Sequence, residues 1–377
     1  MPVRTYRNPD LELTGDSKPR WNTADGRRHG FHNLHDIARY AISFRAAEVL
    51  ALDKRIDRRI GARPDVERLT RSDAFSAMVV ARDQHILFER YAPDFGPERA
   101  HSIMSITKTT LNLIIGRLVA DGELDLTATV GSYLPEIGSG YHAATLQAVL
   151  NMDVANSYSE DYSDPDCSSY LHEAAMGWRL GPPGAPEITQ DAFLAAITSD
   201  GVAHSADEAQ YKSANTDVLA WIAERVTGRS YAEMLADIAD AMGVEGAFHV
   251  TCDRRGLPWA SGGGCLTARD LARLGLLFVR GGAGANGAGV GDPAFIERTR
   301  TQPTKRMPAP IDFTRYSNQM FTDGTWVGHG GYGGQFMLAN LETGIVAVFF
   351  SVLECDAGYD RDYSAEMIGM LAGVAAG

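Results

Sequence analysis

Cysteine is scarce in this sequence and is never paired at the spacing of a redox or zinc motif. Four cysteines occur in 377 residues, at positions 167, 252, 265 and 355, and no C-x-x-C is present. Disulfide-dependent secreted domains and cysteine-based zinc sites need denser or more regular spacing. We therefore expect four reduced thiols and no cysteine-based metal site.

An excess of positive charge and long apolar runs are also missing. The net charge of −13 argues against nucleic acid or an anionic membrane as the partner, because both are polyanions. No apolar run approaches the roughly 20 residues of a membrane span. The first residues, MPVRTYRNPDLELTGDSKPRW, lack the apolar stretch of a secretory signal. We expect a cytoplasmic protein with a small-molecule partner; its oligomeric state stays open, with a homodimer as the common default.

Periodicity predicts the individual elements. A helical pattern runs from Leu34 to about Asp53, and residues 73–93 predict two strands around a turn at 82–84. The stretches TDVLAWIAERVTG and SYAEMLADIADAMG predict helices, each closed by a glycine suited to a left-handed cap. Residues 325–351 predict two or three strands, and residues 361–375 a last helix.

These elements predict an α+β fold with three regions. Residues 1–33 form an irregular arm. Residues 34–120 and 262–377 form an antiparallel sheet flanked by helices, because strands occur towards both ends of the chain. Residues 121–261 form an inserted, mainly helical region.

The stretch HSIMSITKTTLNLIIG places Ser105 three residues before Lys108 at the start of an apolar helix. Residues at i and i+3 lie on one helical face, about 5–6 Å apart. A serine hydroxyl is a weak nucleophile until a base takes its proton, and a lysine can do so only when its pKa is depressed. Ser105 and Lys108 are thus a candidate nucleophile and base; the alternative is a surface lysine near a helix start.

Two later stretches add candidate groups. Tyr211, in YKSANTD, lies just before a helix and could relay a proton to a poor amine leaving group; alternatively it is a half-buried loop tyrosine. GHGGYGGQF surrounds His329 and Tyr332 with glycines where a strand is expected. Glycines in a strand often mark close backbone approach, and a free N–H there could stabilise an oxyanion; the alternative is a tight turn.

Two other spacings resemble binding motifs. The glycines at 282, 284 and 287 match G-x-G-x-x-G, but the dinucleotide fingerprint needs a strand before it and a helix after it. The histidines at 29, 32 and 35 lack partners at metal-site spacing. We expect neither cofactor nor metal.

Taken in order, Ser105-x-x-Lys108, Tyr211-x-Ser213 and His329-Gly330-Gly331 resemble the three motifs of the penicillin-recognising serine hydrolases. That group includes class C β-lactamases, DD-peptidases and esterases. YSEDYSDP, GWR, YKSANTDVLAWIAERVTG and LTARDLARLG are similar to the 6-aminohexanoate-dimer hydrolases, a family that cleaves short linear nylon oligomers. The likeness spans roughly residues 75–375. It implies a β-lactamase/DD-peptidase-like fold with the site between the sheet and the helical region.

The resemblance also implies roles for individual residues. Ser105 would be the nucleophile, Lys108 its base, and Tyr211 the group that passes a proton to the leaving amine. The backbone N–H groups of Ser105 and Tyr332 would form the oxyanion hole. The implied substrate-binding positions are Tyr162, Glu173, Trp178, Ser213, Ser261, His329 and Gly331.

The chain departs from the β-lactamase pattern at two motifs. Ser213 replaces an asparagine, and His329-Gly330-Gly331 replaces Lys-Thr-Gly, so only a weaker, pH-dependent cation remains for a β-lactam carboxylate. Ser261 stands where the nylon-dimer hydrolases have an amide side chain. We expect a hydrolase of small linear amides with side activity on short-chain esters. The alternatives are a carboxylesterase without useful amidase activity, a β-lactamase or DD-peptidase, and a non-catalytic binding protein.

An acidic cluster close to Tyr162 suggests that the mouth of the site attracts a substrate ammonium; the alternative is a solvated acidic loop. The cluster consists of Glu160, Asp161, Asp164, Asp166 and Glu173.

Overall fold

The computed structural model describes residues 15–199 and 203–377. Within them, twelve strands form two sheets and are separated by helices. The strands are β1 (Ala41–Phe44), β2 (Asp53–Lys54), β3 (Phe75–Arg82), β4 (His85–Tyr91), β5 (His101–Ser102), β6 (Phe248–Thr251), β7 (Gly264–Leu266), β8 (Arg315–Ser317), β9 (Met320–Thr322), β10 (Trp326–Gly331), β11 (Gln335–Asn340) and β12 (Ile345–Ser351). The helices are α1 (Lys18–Trp21), α2 (Arg27–His32), α3 (Leu34–Ile37), α4 (Arg58–Gly61), α5 (Pro64–Leu69), α6 (Thr109–Ala120), α7 (Val130–Tyr133), α8 (Ser139–His142), α9 (Leu146–Leu150), α10 (Ser168–Ala175), α11 (Gln190–Ala195), α12 (Ser213–Thr227), α13 (Tyr231–Met242), α14 (Ala268–Val279), α15 (Pro293–Thr301) and α16 (Arg361–Ala375).

The larger sheet has eight strands in the order β2-β4-β3-β12-β11-β10-β9-β8. All its pairs are antiparallel except β2 with β4. Every residue of β12, IVAVFFS, is buried, because helices α14 and α16 pack against this part of the sheet. The predicted hairpin is confirmed as β3 and β4, with Asp83 in the turn at a φ of 56°.

The predicted helices over 216–228 and 230–243 are confirmed as α12 and α13. Gly228 and Gly243 close them in the left-handed region, at φ values of 67° and 63°. Helix α13 starts with a capping box, in which the Ser230 side chain accepts from the Glu233 N–H and the Glu233 carboxylate accepts from the Ser230 N–H. Residues 325–351 contain three strands, and α16 matches the predicted last helix.

Two predictions near the N-terminus are wrong. The helix expected from Leu34 to Asp53 ends at Ile37, because the following residues form β1, which pairs with β6 over 200 positions away. Long-range pairing overrides the local helical pattern there. The described part of the arm is also not irregular, since it contains α1 and α2.

The smaller sheet, ordered β1-β6-β7-β5, fixes two loops beside each other. Strand β5 leads directly to Ser105, and β7 follows the loop that carries Ser261. Their antiparallel pairing, with Ser102 opposite Cys265, brings Ser105 and Ser261 close together. The Ile103 N–H continues this contact by donating to the Gly264 carbonyl at 2.9 Å.

The other expectations can be compared with the described residues. All four cysteines are free thiols, as predicted. Among residues 15–199 and 203–377, no group of His, Cys, Asp and Glu side chains has the geometry to hold a metal ion. Within the same ranges, no helix is long and apolar enough to cross a membrane. The glycine-rich segment after α14 is a loop leading to α15, so it lacks the strand–turn–helix context of a dinucleotide site.

Candidate active site

Ser105 lies in a 3₁₀ helix, Met104–Lys108, that runs into α6. Met104, the residue before Ser105, has a φ of 46°, in the left-handed region that non-glycine residues rarely adopt. N–H groups in a first helical turn have no acceptor within the helix, so the Ser105 N–H is available to a ligand. Ser105 is among the residues that line the cavity.

Lys108 is fully buried beneath Ser105. Its Nζ lies 2.9 Å from Ser105 Oγ, 2.9 Å from Ser213 Oγ and 2.5 Å from the Ser261 carbonyl oxygen. Burial lowers the pKa of Lys108 to about 8, although the negative charges of Glu160 and Asp217 oppose the shift. A useful fraction of this lysine is consequently neutral near physiological pH, as a general base requires.

Glu160 holds Ser213 in place. One carboxylate oxygen accepts from the Ser213 N–H and the other from Ser213 Oγ, both at 2.7 Å. Ser213 is the first residue of α12, so the carboxylate binds the positive end of the helix. The Ser213 hydroxyl donates its hydrogen bond to Glu160, so Ser213 Oγ acts only as an acceptor towards Lys108.

Tyr211 completes the group of catalytic candidates. Burial and the negative charge of Glu160 raise the pKa of Tyr211 well above its usual value, and the nearby Ser105 side chain opposes the rise only in part. Lys108 Nζ lies 5.1 Å from the centre of the Tyr211 ring. Tyr211 is thus protonated at neutral pH and suited to donate a proton next to Ser105.

Tyr332 lies in the turn between β10 and β11 and lines the same cavity. Its N–H donates to no backbone or side-chain group in the described part of the chain. A side chain on Gly331 would put a Cβ atom 2.6 Å from the Ile103 carbonyl oxygen, so only glycine lets β10 run this close to the 3₁₀ helix. Ser105 and Tyr332 line one cavity, and their N–H groups remain the predicted oxyanion hole.

The cavity wall combines aromatic rings with one buried acid. Trp178 is buried and packs edge-on against Trp259, with ring centres 4.3 Å apart, so it forms part of the wall. Burial raises the pKa of Glu173 to about 7, while the positive charges of Arg179 and Lys18 oppose the rise. Glu173 is therefore partly charged at neutral pH in a largely apolar setting.

Most of the predicted site residues lie together. The ones that line the cavity are Ser105, Tyr162, Glu173, Trp178, Ser213, Ser261 and Tyr332. Lys108 and Tyr211 adjoin Ser105, as described above. Gly331 contributes through its closeness to Ile103, which is a contact within the chain.

His329 requires a correction. It is fully buried, does not line the cavity, and stacks on Phe321 with ring centres 4.7 Å apart. Burial and the charge of Lys108 lower the pKa of His329 to about 3, so the ring is neutral at physiological pH. It therefore does not supply the pH-dependent cation expected in place of the Lys-Thr-Gly lysine.

The acidic cluster separates into different roles. Glu160 and Glu173 both line the cavity, but the Glu160 carboxylate is already bound to Ser213. Asp161 and Asp164 are exposed and accept from N–H groups of their own loop. Glu173 is consequently the member best placed to meet a bound substrate.

The sequence reasoning missed two contributions. Glu160 was predicted only as a member of the acidic cluster near Tyr162. Its contact with Ser213 at the start of α12 depends on the fold. Trp21 and Asn22, in the N-terminal arm, also line the cavity, and no sequence motif marked them.

Comparison with known proteins identifies the family of this chain. The family model described as Beta-lactamase matches residues 72–363. The chain belongs to the β-lactamase family. This β-lactamase-family chain is 35% identical over 271 residues to the 6-aminohexanoate-dimer hydrolase of Paenarthrobacter ureafaciens, covering 71% of this chain and 68% of that relative.

Solved structures share the fold of this β-lactamase-family chain. A Bacillus anthracis protein provisionally assigned as a 6-aminohexanoate-dimer hydrolase superposes with a TM-score of 0.76 at 20% identity, covering 92% of this chain and 93% of its own. A penicillin-binding protein homologue from Caulobacter crescentus gives a TM-score of 0.61 at 17% identity, covering 84% and 98%. The expected family and α+β fold are thus confirmed, and the chain is a serine hydrolase of this family.

Proposed function

We propose that this protein hydrolyses small linear amides such as 6-aminohexanoate oligomers through an acyl-enzyme on Ser105, with side activity on short-chain esters. The main support is the fully buried Lys108, whose Nζ lies 2.9 Å from Ser105 Oγ and whose pKa is lowered to about 8. The 35% identity to a 6-aminohexanoate-dimer hydrolase supports the substrate class.

Acylation begins from neutral Lys108. A neutral amine has two N–H donors and one lone pair, and both donors have fixed acceptors in Ser213 Oγ and the Ser261 carbonyl. The lone pair is left for the Ser105 proton. As the proton moves to Nζ, the bond between Ser105 Oγ and the substrate carbonyl carbon forms, and the carbonyl oxygen becomes an oxyanion.

The N–H groups of Ser105 and Tyr332 stabilise that oxyanion, because they are backbone donors with no other acceptor among the described residues. When the C–N bond breaks, the leaving nitrogen must gain a proton. Tyr211 supplies it, and the Lys108 ammonium restores the Tyr211 proton. Water then attacks the acyl-enzyme by the same steps in reverse, which releases the acid and frees Ser105.

Glu173 makes the cavity favour amides that carry an ammonium group. Its side chain is buried in the cavity wall, where an opposite charge interacts more strongly than in water. The substrate ammonium of an aminohexanoate unit matches this position. Arg179, with Nη1 3.5 Å from a Glu173 oxygen, competes for the same carboxylate and moderates the attraction.

The decisive experiment is amine release from the linear 6-aminohexanoate dimer by wild type and Ser105→Ala. Release by wild type alone is expected. If neither protein releases amine while a short-chain ester is still cleaved in a Ser105-dependent way, the mechanism stands, the amide proposal fails, and the protein is a carboxylesterase. Loss of both activities, together with no labelling of Ser105 by an activated phosphonate, would leave only a binding function.

A further inference from the structure

The N-terminal arm forms one wall of the active-site cavity. Trp21 and Asn22 line the same cavity as Ser105. Both residues lie outside residues 72–363, the part of the chain that the family model matches. The chemistry of this wall is therefore not covered by the three motifs of the site.

Residues 15–33 of the arm are held against the rest of the protein by buried contacts. Trp21 Nε1 donates to the Trp178 carbonyl at 3.0 Å, and the two rings pack edge-on with centres 4.8 Å apart. The Arg27 guanidinium is only 2% exposed and donates to the carbonyls of Leu353 and Cys355 at 2.7 and 2.6 Å. The arm is thus a fixed wall, able to hold a side chain at a defined position.

The orientation of the Asn22 amide is fixed as well. Arg27 Nε donates to Asn22 Oδ1 at 2.7 Å, and the Tyr332 hydroxyl lies 3.3 Å from the same oxygen. A guanidinium carries only donors, so the amide atom facing it must be the oxygen. The nitrogen is then at the free end, and across residues 15–199 and 203–377 no acceptor binds it.

We infer that Asn22 is a substrate-binding residue whose Nδ2 donates a hydrogen bond to a substrate oxygen, either a carbonyl or a carboxylate. Asn22 contacts the side chain of Tyr332, whose N–H is assigned to the oxyanion hole. The contact is with the Tyr332 hydroxyl, the far end of that side chain, so the bound oxygen lies on the arm side of the cavity, away from the scissile carbonyl. The inference rests on the proposed function, because a linear amide with a terminal carboxylate carries such an acceptor.

A fixed donor selects substrates by the cost of leaving it unpaired. A substrate without a matching oxygen displaces water from Asn22 and returns no hydrogen bond, which weakens its binding. A substrate with a carbonyl or carboxylate oxygen at this position accepts the hydrogen bond from Asn22 Nδ2. Asn22 would accordingly favour acceptor-bearing chains over plain alkyl esters and amides.

The test uses inhibition of p-nitrophenyl acetate hydrolysis by hexanoate and by N-methylhexanamide. The variants are Asn22→Asp, which keeps an acceptor for Arg27 but loses the donor, and Asn22→Leu, which loses both. Thr23→Ala is the control, because Thr23 belongs to the arm and does not line the cavity. Thermal unfolding checks that each variant is folded; if Asn22→Leu does not fold, Asn22→Asp decides.

We expect the inhibition constant of hexanoate to rise at least about tenfold in both Asn22 variants and to stay unchanged in Thr23→Ala. A parallel rise for N-methylhexanamide indicates that a carbonyl oxygen suffices, and an effect on hexanoate alone indicates a carboxylate. Unchanged constants in both Asn22 variants, or a wild type that neither compound inhibits, would overturn the inference. Calorimetric binding of hexanoate to Ser105→Ala gives the same comparison without turnover. Neither assay requires amide cleavage, so failure of the proposed function is seen separately, in the nylon-dimer assay.

Discussion

Replacement of Glu160 by glutamine tests how the site sets the basicity of Lys108. The carboxylate binds Ser213, and Ser213 Oγ binds Lys108 Nζ, through contacts of 2.7 and 2.9 Å. These distances keep the carboxylate oxygen within about 5.6 Å of Nζ. At an effective dielectric constant of about 20, one unit charge at that distance is worth about 3 kcal/mol, or about two pKa units.

Glu160 is half-buried, so water screens part of this interaction and we expect a shift of about one to two units. The negative charge stabilises the ammonium form, so its removal lowers the pKa of Lys108 from about 8. Neutral Lys108 is the active form. In Glu160→Gln, the acidic limb of kcat/KM should therefore move to lower pH.

The assay is the pH profile of kcat/KM for a short-chain ester between pH 5 and 9. The readout is the pH at which kcat/KM falls on the acidic side. The maximal kcat/KM is not used, because a weaker base also lowers it. Asp161→Asn is the matched control: Asp161 belongs to the same loop, but its exposed carboxylate binds only loop groups. A limb that stays in place in Glu160→Gln, or moves to higher pH, would refute the electrostatic reasoning.

Three further changes probe the other parts of the site. Tyr211→Phe should abolish amide turnover and spare much of the ester turnover, since esters need little leaving-group protonation; equal loss of both rates would exclude the proton-donor role. Glu173→Gln should raise the KM of an ammonium-bearing amide several-fold above pH 7, where the carboxylate is charged, and have little effect well below it; an equal KM change at both pH values would contradict ammonium binding. Gly331→Ala should destabilise the fold by about 1–3 kcal/mol and lower kcat, because the new Cβ meets the Ile103 carbonyl at 2.6 Å. Gly369→Ala lies within α16 and its Cβ would meet nothing within 4 Å, so it should keep kcat and keep or raise thermal stability, because alanine favours a helix over glycine by about 1 kcal/mol. A similar loss in both variants would rule out the close-approach argument.

Local patterns were enough to predict much of the fold. The strands β3 and β4 are joined by a turn of a few residues, and α12 and α13 carry their own glycine caps. The helix expected from Leu34 to Asp53 failed because β1 gains its partner from β6, and no local pattern reveals a partner so far along the chain. Long-range pairing was the information that the sequence reasoning lacked.

The same distinction holds within the site. The spacing of Ser105 and Lys108 placed them on one face, and the structure brings their functional atoms into contact. His329 was expected to act as a cation because its motif aligned with one, yet its surroundings keep it neutral. Asn22 lies in an arm without a motif, and its position depends on Arg27 contacting carbonyls more than 300 residues away.

The pairing of β3 with β12 has a consequence for biosynthesis. These adjacent strands occupy residues 75–82 and 345–351, so a ribosome must add more than 250 residues after β3 before its second neighbour exists. Until then the nascent chain exposes one hydrophobic edge of β3, which is a site for unwanted association. We expect chains truncated before Ile345 to aggregate and to require chaperones, even though Ser105, Lys108 and Tyr211 have all been synthesised by that point.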